Sequence, residues 1–279
     1  VSSPTLEQVV EALERRYPPS LAEEWDAVGL VCGRPEAVVA KVLFAVDPDP
    51  RVVAEALTIG ADLIVTHHPL FLTPIHSVAT ATSGGSIIHD LIENGIALYA
   101  AHTNADSAID GVSEALAHTL GVMDTRVLAP SADPGLGLGR WGRLAEPVPL
   151  QAFAEQVAAV LPKTAHGVRV SGNPEKLVST VALCGGSGDS FLSLANSVGA
   201  DVYLTADCKH HRLLDHRTAG GCAVIDVAHW ASEWPWLPRA ASLLVADMSV
   251  QGTTVEAEVS TIVTDPWTSH LESTVRSAP

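Results

Sequence analysis

GADLIVT (Gly60 to Thr66) and GADVYLT (Gly199 to Thr205) are two versions of one stretch, a glycine-led turn entering a short apolar strand. At the same offset upstream lies a second matched pair of runs, VLFAVD (Val42 to Asp47) and VALCGG (Val181 to Gly186). A third run in each half ends in Ala-His, at Ala101–His102 and at Ala228–His229. Three matched runs in the same order make the two halves copies of one unit. Helix-like stretches separate the runs, at Arg51 to Ile59, Ser86 to Asn94, Val112 to Leu120, Leu150 to Val160 and Phe191 to Val198. Strands alternating with helices of this length predict an α/β protein with largely parallel pairing. The expected division is a first α/β half over 1–127 and a second over 128–279, together one compact unit.

The third match continues past the strand. HTNAD supplies His102 and Asp106, and HWASE supplies His229 and Glu233, each a histidine followed four positions later by a carboxylate. On a helical turn that spacing puts both side chains on one face, within reach of a shared ion. THHP adds His67 and His68 at the end of another apolar strand. Neighbouring side chains of a strand point to opposite faces, so the doublet favours two adjacent ions over one. All these residues fall at predicted strand ends, where open α/β sheets bind ligands, and one composite site between the halves follows. Imidazole with carboxylate and no thiolate set suits zinc, manganese or iron.

Composition narrows the classes further. The chain has 279 residues, 47% hydrophobic and 17% charged, which excludes disorder as the dominant state. No apolar stretch approaches the roughly 18 residues a membrane span needs. The opening VSSPTLEQVVEALERRYP reads as a helix with Thr5 as N-cap and Gln8 completing a capping box, and it lacks the basic start and apolar run of a signal peptide. Cys32, Cys184, Cys208 and Cys222 are far apart and without CxxC spacing, so neither a zinc knuckle nor a disulfide framework is expected, and a reduced, cytoplasmic setting fits. Net charge is −16 and the 16 basic residues are scattered, which argues against nucleic acid as a partner.

Other features carry two readings each. His102 is either a further ligand or a hydrogen-bonded strand-end histidine. Lys209, His210 and His211 in TADCKHH either meet an anionic substrate and move protons or form a solvated loop. GGSGDS (Gly185 to Ser190) either cradles a phosphate or is a tight connecting turn, and it lacks the ending of a P-loop. Trp230, Trp234 and Trp236 either stack on a base or pack in a core or subunit interface. His76, His89, His118, His166, His216 and His270 have no partner at ligand spacing and receive no role.

At these residues the chain resembles the GTP cyclohydrolase 1 type 2 homologue family of dinuclear-metal, Nif-three-like proteins. The resemblance runs through EEWDAVGL (Glu23 to Leu30), DLIVTHHPLF, AHTNAD, GVSEALAHTLG, VALCGGSG, ADVYLTADCKHH and AHWASE. It implies that His67, His68, Asp106, His229 and Glu233 are the ligands of two divalent ions. It also implies two similar α/β halves facing each other with the dimetal site between them, in the compact form without an inserted middle domain. Assembly would be a homohexamer, a trimer of dimers. Ala27 stands where Asn is common in the family, Trp230 replaces a usual Tyr, and Cys208 interrupts the segment before Lys209. The expected activity is metal-dependent hydrolysis of a nucleotide or phosphoester, with activated water as nucleophile and Lys209, His211 or His102 assisting. A metal carrier or insertion factor and a metal-stabilised scaffold are the alternatives.

Overall fold

Thr5 caps the first helix as the sequence predicts. Its hydroxyl accepts the Gln8 backbone N–H while the Gln8 side chain accepts that of Thr5, satisfying two amides the helix would leave unpaired. The computed structural model describes residues 2–133 and 135–273. The first half runs α1 (Leu6–Arg16), β1 (Gly29–Cys32), β2 (Lys41–Ala45), α2 (Pro50–Ile59), β3 (Leu63–Thr66), α3 (Ser83–Glu93), β4 (Ala97–Ala100), α4 (Thr103–Ser107) and α5 (Val112–Thr119). The second continues with β5 (Met123–Pro130), β6 (Gly137–Pro149), α6 (Leu150–Val160), β7 (Val168–Ser171), β8 (Leu177–Ser187), α7 (Leu192–Ser197), β9 (Val202–Ala206), α8 (His210–Thr218), β10 (Ala223–Val227), α9 (His229–Glu233), α10 (Trp236–Val250) and β11 (Glu256–Val259).

Two sheets form, ordered β1-β4-β3-β2-β11 and β5-β6-β8-β9-β10-β7. Within them β2-β3-β4 and β8-β9-β10 are equivalent parallel triples, and the matched sequence runs lie in these strands. Every residue of β3, β4, β9 and β10 is buried, which is why each reads as a largely apolar run, interrupted in β10 by the buried Asp226. The shared Gly-Ala-Asp turn works the same way in both copies. Gly60 and Gly199 have φ of +69° and +72°, and the aspartates after them fasten the neighbouring strand. Asp62 accepts the backbone N–H groups of Ala40 and Lys41, and Asp201 accepts those of Ser179 and Thr180.

Each sheet is packed on both faces, as a parallel α/β sheet requires. The first is covered on one side by α2 and α3 and on the other by α1, α10 and part of α5. The second packs α6 and the rest of α5 on one face and α7 on the other. Helix α5 therefore serves both cores, giving Val112 and Ala115 to one and Leu116 and Ala117 to the other. The expected boundary at 127/128 falls inside β5, and the chain later recrosses it. Strand β11 pairs in parallel with β2, covering what would otherwise be an open sheet edge.

Trp230 and Trp236 are buried in the first core, and the Trp234 indole N–H donates to the Ser260 carbonyl. Trp230 and Trp236 are core packing and offer no surface to a second subunit, although Trp230 also lines the cavity at the cluster described below. Among the described residues no helix is long and apolar enough to cross a membrane, and the four cysteines are free thiols.

Candidate metal centre

The parallel triples end side by side, and their terminal residues converge. His67 and His68 follow β3, His102 follows β4 and leads into α4, and His229 opens α9 after β10. Asp106 and Glu233 sit one turn further along α4 and α9, as the repeated spacing predicts.

Each imidazole is held from behind. Nδ1 of His67 lies 2.9 Å from the Ala101 carbonyl, that of His68 2.7 Å from Asp47, that of His102 2.8 Å from Asp26 and that of His229 2.6 Å from Asp207. A hydrogen bond at Nδ1 fixes the tautomer that leaves the Nε2 lone pair free for a cation. The carboxylates are fixed in turn: Asp26 accepts the Thr103 backbone N–H and hydroxyl, and Asp47 accepts the Thr264 hydroxyl.

The Nε2 atoms gather around Glu233. Its Oε1 is 2.9 Å from His229 Nε2 and 3.5 Å from His67 Nε2, and its Oε2 is 3.2 Å from His68 Nε2. Asp106 Oδ1 lies 3.8 Å from His67 Nε2. Donor atoms of His67, His68 and His102 lie within 4.8 Å of one another, as do those of His68, His229 and Glu233. His67 Nε2, Asp106 Oδ1 and Glu233 Oε2 are buried and make no hydrogen bond. Buried polar atoms are rarely left orphaned, and three in one cluster of imidazole and carboxylate fit a cation as the missing partner.

The electrostatics agree. Burial works against the Glu233 carboxylate, but His229, His68 and His67 outweigh it and hold the group well below the usual range. Asp106 goes the other way, raised by burial with Glu233 adding to the effect. Burial disfavours charge on His68, yet Glu233 and Asp47 push it up to about 10, and Glu233 foremost pushes His229 up to about 11. Both values exceed the ordinary imidazole value, so this pairing stabilises the metal-free fold fully below about pH 6.5 and is lost as pH rises through 10 to 11. Without metal, His68 and His229 therefore each hold a proton at neutral pH. Loading a divalent cation is expected to release these protons, and affinity to rise with pH. Calorimetric titration at pH 7.5 in buffers of different ionisation enthalpy reads this directly; equal heats in every buffer would contradict it.

Around the cluster opens a cavity of about 770 Å³. Trp25, Leu72, Phe191 and Trp267 form apolar parts of its wall, with His102, His166 and Asp265 among the polar ones. Lys209, His210 and His211 do not line it. Lys209 is exposed at the start of α8, its backbone N–H donating to Asp189, and the rings of His210 and His211 pack against each other. In the glycine turn, which lines the cavity, the Gly185 and Gly186 amides already donate to Ser113 and Ser232 and are not free for a phosphate. The aspartates behind the histidines escaped the sequence reading, although Asp26, Asp47 and Asp207 all stand in quoted motifs.

The model of the Duf34/NIF3 (NGG1p interacting factor 3) family matches residues 4–266. A Streptomyces coelicolor protein named GTP cyclohydrolase 1 type 2 homolog is 46% identical over 278 residues, covering 99% of this chain and 98% of its own. A Mycobacterium leprae protein of the same name is 36% identical, with 95% of each chain covered. Among solved structures, a Bacillus cereus protein related to NIF3 superposes with a TM-score of 0.89 at 27% identity, covering 96% of this chain and 99% of the other. Two matched α/β halves with a histidine and carboxylate cluster between them are thus accompanied by full-length likeness, and the chain belongs to the Duf34/NIF3 family.

Proposed function

We propose that the protein is a dinuclear metal hydrolase acting on a nucleotide or another phosphoester. His67, His68, Asp106, His229 and Glu233 would hold the two divalent ions, with His102 beside them. The observation that carries this reading is Glu233, a buried carboxylate whose two oxygens address different histidines and one of which has no hydrogen bond. A carboxylate so placed is suited to bridging two cations. Such a pair activates water at neutral pH and polarises the ester under attack.

The chain's own residues supply orientation and enclosure. Asp26, Asp47 and Asp207 lock three imidazoles, and the cavity walls give a substrate apolar surface beside them. Cys184 also lines the cavity, but burial pushes its thiol up to about 12, so it stays protonated and is no competing nucleophile. Water as nucleophile fits that wall. Chelation should abolish turnover and Mn or Zn restore it, assayed on a panel of nucleotides and aryl phosphates. Turnover that survives complete metal removal would refute the mechanism. Metal-loaded protein inert across the panel would favour a metal carrier.

We propose further that the chain assembles as a homohexamer, a trimer of dimers, as the sequence resemblance implies. Light scattering at micromolar concentration is expected to return six chains, and a monomer would contradict it.

A further inference from the structure

One histidine on the cavity wall is not tied to the metal centre. Of the four that line the cavity, His68, His102 and His229 give Nδ1 to a carboxylate and belong to the cluster. The fourth, His166, stands between α6 and β7. Its Nε2 is 2.9 Å from Oδ1 of Asp226, a buried residue of β10. Asp226 is itself fixed, accepting from Arg169 on the adjacent β7 at 2.9 Å and from the Cys208 backbone N–H at 3.0 Å. Among the described residues nothing pairs with Nδ1 of His166.

The charge of the wall gives that free nitrogen a role. Six carboxylates line the cavity, from Glu23, Asp47, Asp106, Asp207, Glu233 and Asp265, and among the described residues no Lys or Arg does. The hydroxyls present, such as those of Thr103 and Ser190, are too weakly acidic to give up a proton near neutral pH. A leaving group expelled inside this cavity needs a proton, and His166 is the lining imidazole outside the metal cluster, with Nδ1 unpaired to give it.

We propose that His166, oriented by Asp226, is the proton donor to the leaving group at this cavity, a role that rests on the hydrolase function above. Water forms a new P–O bond as the P–O bond to the leaving group breaks. The departing oxygen takes the proton from Nδ1, and the proton released by the water returns to the imidazole. The ester is split with no oxidant or further reactant. The charged groups facing His166 are Asp226 and Arg169 of the second sheet, Asp207 after β9 and Asp265 of the segment beyond β11.

The test uses the Mn-loaded full chain with phenyl phosphate, a poor leaving group, and p-nitrophenyl phosphate, a good one. His166→Gln, which keeps an amide donor for Asp226, should lower kcat/KM on phenyl phosphate by roughly a hundredfold and on p-nitrophenyl phosphate far less. Metal content should stay unchanged. Asp226→Asn, which removes the carboxylate that orients the ring, should lower kcat/KM on phenyl phosphate in the same direction but by less. Equal losses on both esters, or none, would overturn the role of His166. A second measurement reads the residue without turnover: inorganic phosphate, titrated calorimetrically, should bind about tenfold more weakly to His166→Gln at pH 6. Unchanged phosphate affinity at pH 6 counts against the proposal. A wild type that binds metal but cleaves neither ester defeats the hydrolase function and the leaving-group role with it. A wild type that cleaves both with His166→Gln unimpaired defeats only the latter.

Discussion

Glu233→Gln is expected to leave the protein with at most one metal ion per chain and to abolish hydrolysis. The substitution preserves shape and removes only the negative charge. At 3% exposure Glu233 is surrounded by the Nε2 atoms of His67, His68 and His229, so little solvent is available to replace what is lost. A neutral amide also presents an N–H to the cation on one side, which turns attraction into repulsion. Loss of an outer partner of a ligand weakens metal binding by roughly 10 to 100-fold, and loss of a bridging ligand should exceed that upper figure. Asp207→Asn, which reaches the metal through the hydrogen bond to His229 and leaves the ligands themselves intact, belongs in the lower range. Elemental analysis after dialysis distinguishes the two, with His67→Ala and Asp106→Ala as companions to Glu233→Gln. Full metal retention in all three would remove the assignment.

The fold could be read because duplication printed the same chemistry twice. The buried strands β3 and β9 carry one apolar signature, and the aspartates heading them do one task in both copies. The candidate ligands could be read for a local reason, since a histidine and a carboxylate four apart on a short helix need no tertiary information to share a face. What lay outside the sequence pattern depends on contacts between distant segments. His68 meets Asp47 because β2 and β3 pair in register, and Thr264 reaches Asp47 only after β11 has returned to the first sheet. His166 had no ligand-like neighbour in sequence, because its partner Asp226 is on a strand that β7 joins in antiparallel fashion. Lys209 failed in the opposite direction. It follows the right strand, but the chain turns into α8 there and leaves the lysine outside the cavity.

Gly186→Ala is expected to cost the protein its metal, whereas Gly199→Ala should cost only stability. Both glycines have positive φ, +67° and +72°, so alanine at either carries a backbone penalty of roughly 1–2 kcal/mol. At Gly199 that is the whole effect, because an added Cβ would meet nothing within 4 Å. At Gly186 the Cβ would lie 2.5 Å from Glu233 Oε1 and 3.2 Å from His229 Nε2. The backbone cannot easily yield, since the Gly186 N–H donates to Ser232 and its carbonyl accepts from Thr205. Glu233 must therefore move, and its position is what brings three imidazoles to one carboxylate. Gly199→Ala is expected to melt a few degrees lower, at about 2–4 °C per kcal/mol for a chain near this size, and to bind metal normally. Gly186→Ala should melt at least as low and in addition lack the rise in Tm expected when metal is added to the wild type. If Gly186→Ala bound metal as tightly as Gly199→Ala, the Glu233 carboxylate would not be a fixed ligand, and the dinuclear arrangement built on it would fall.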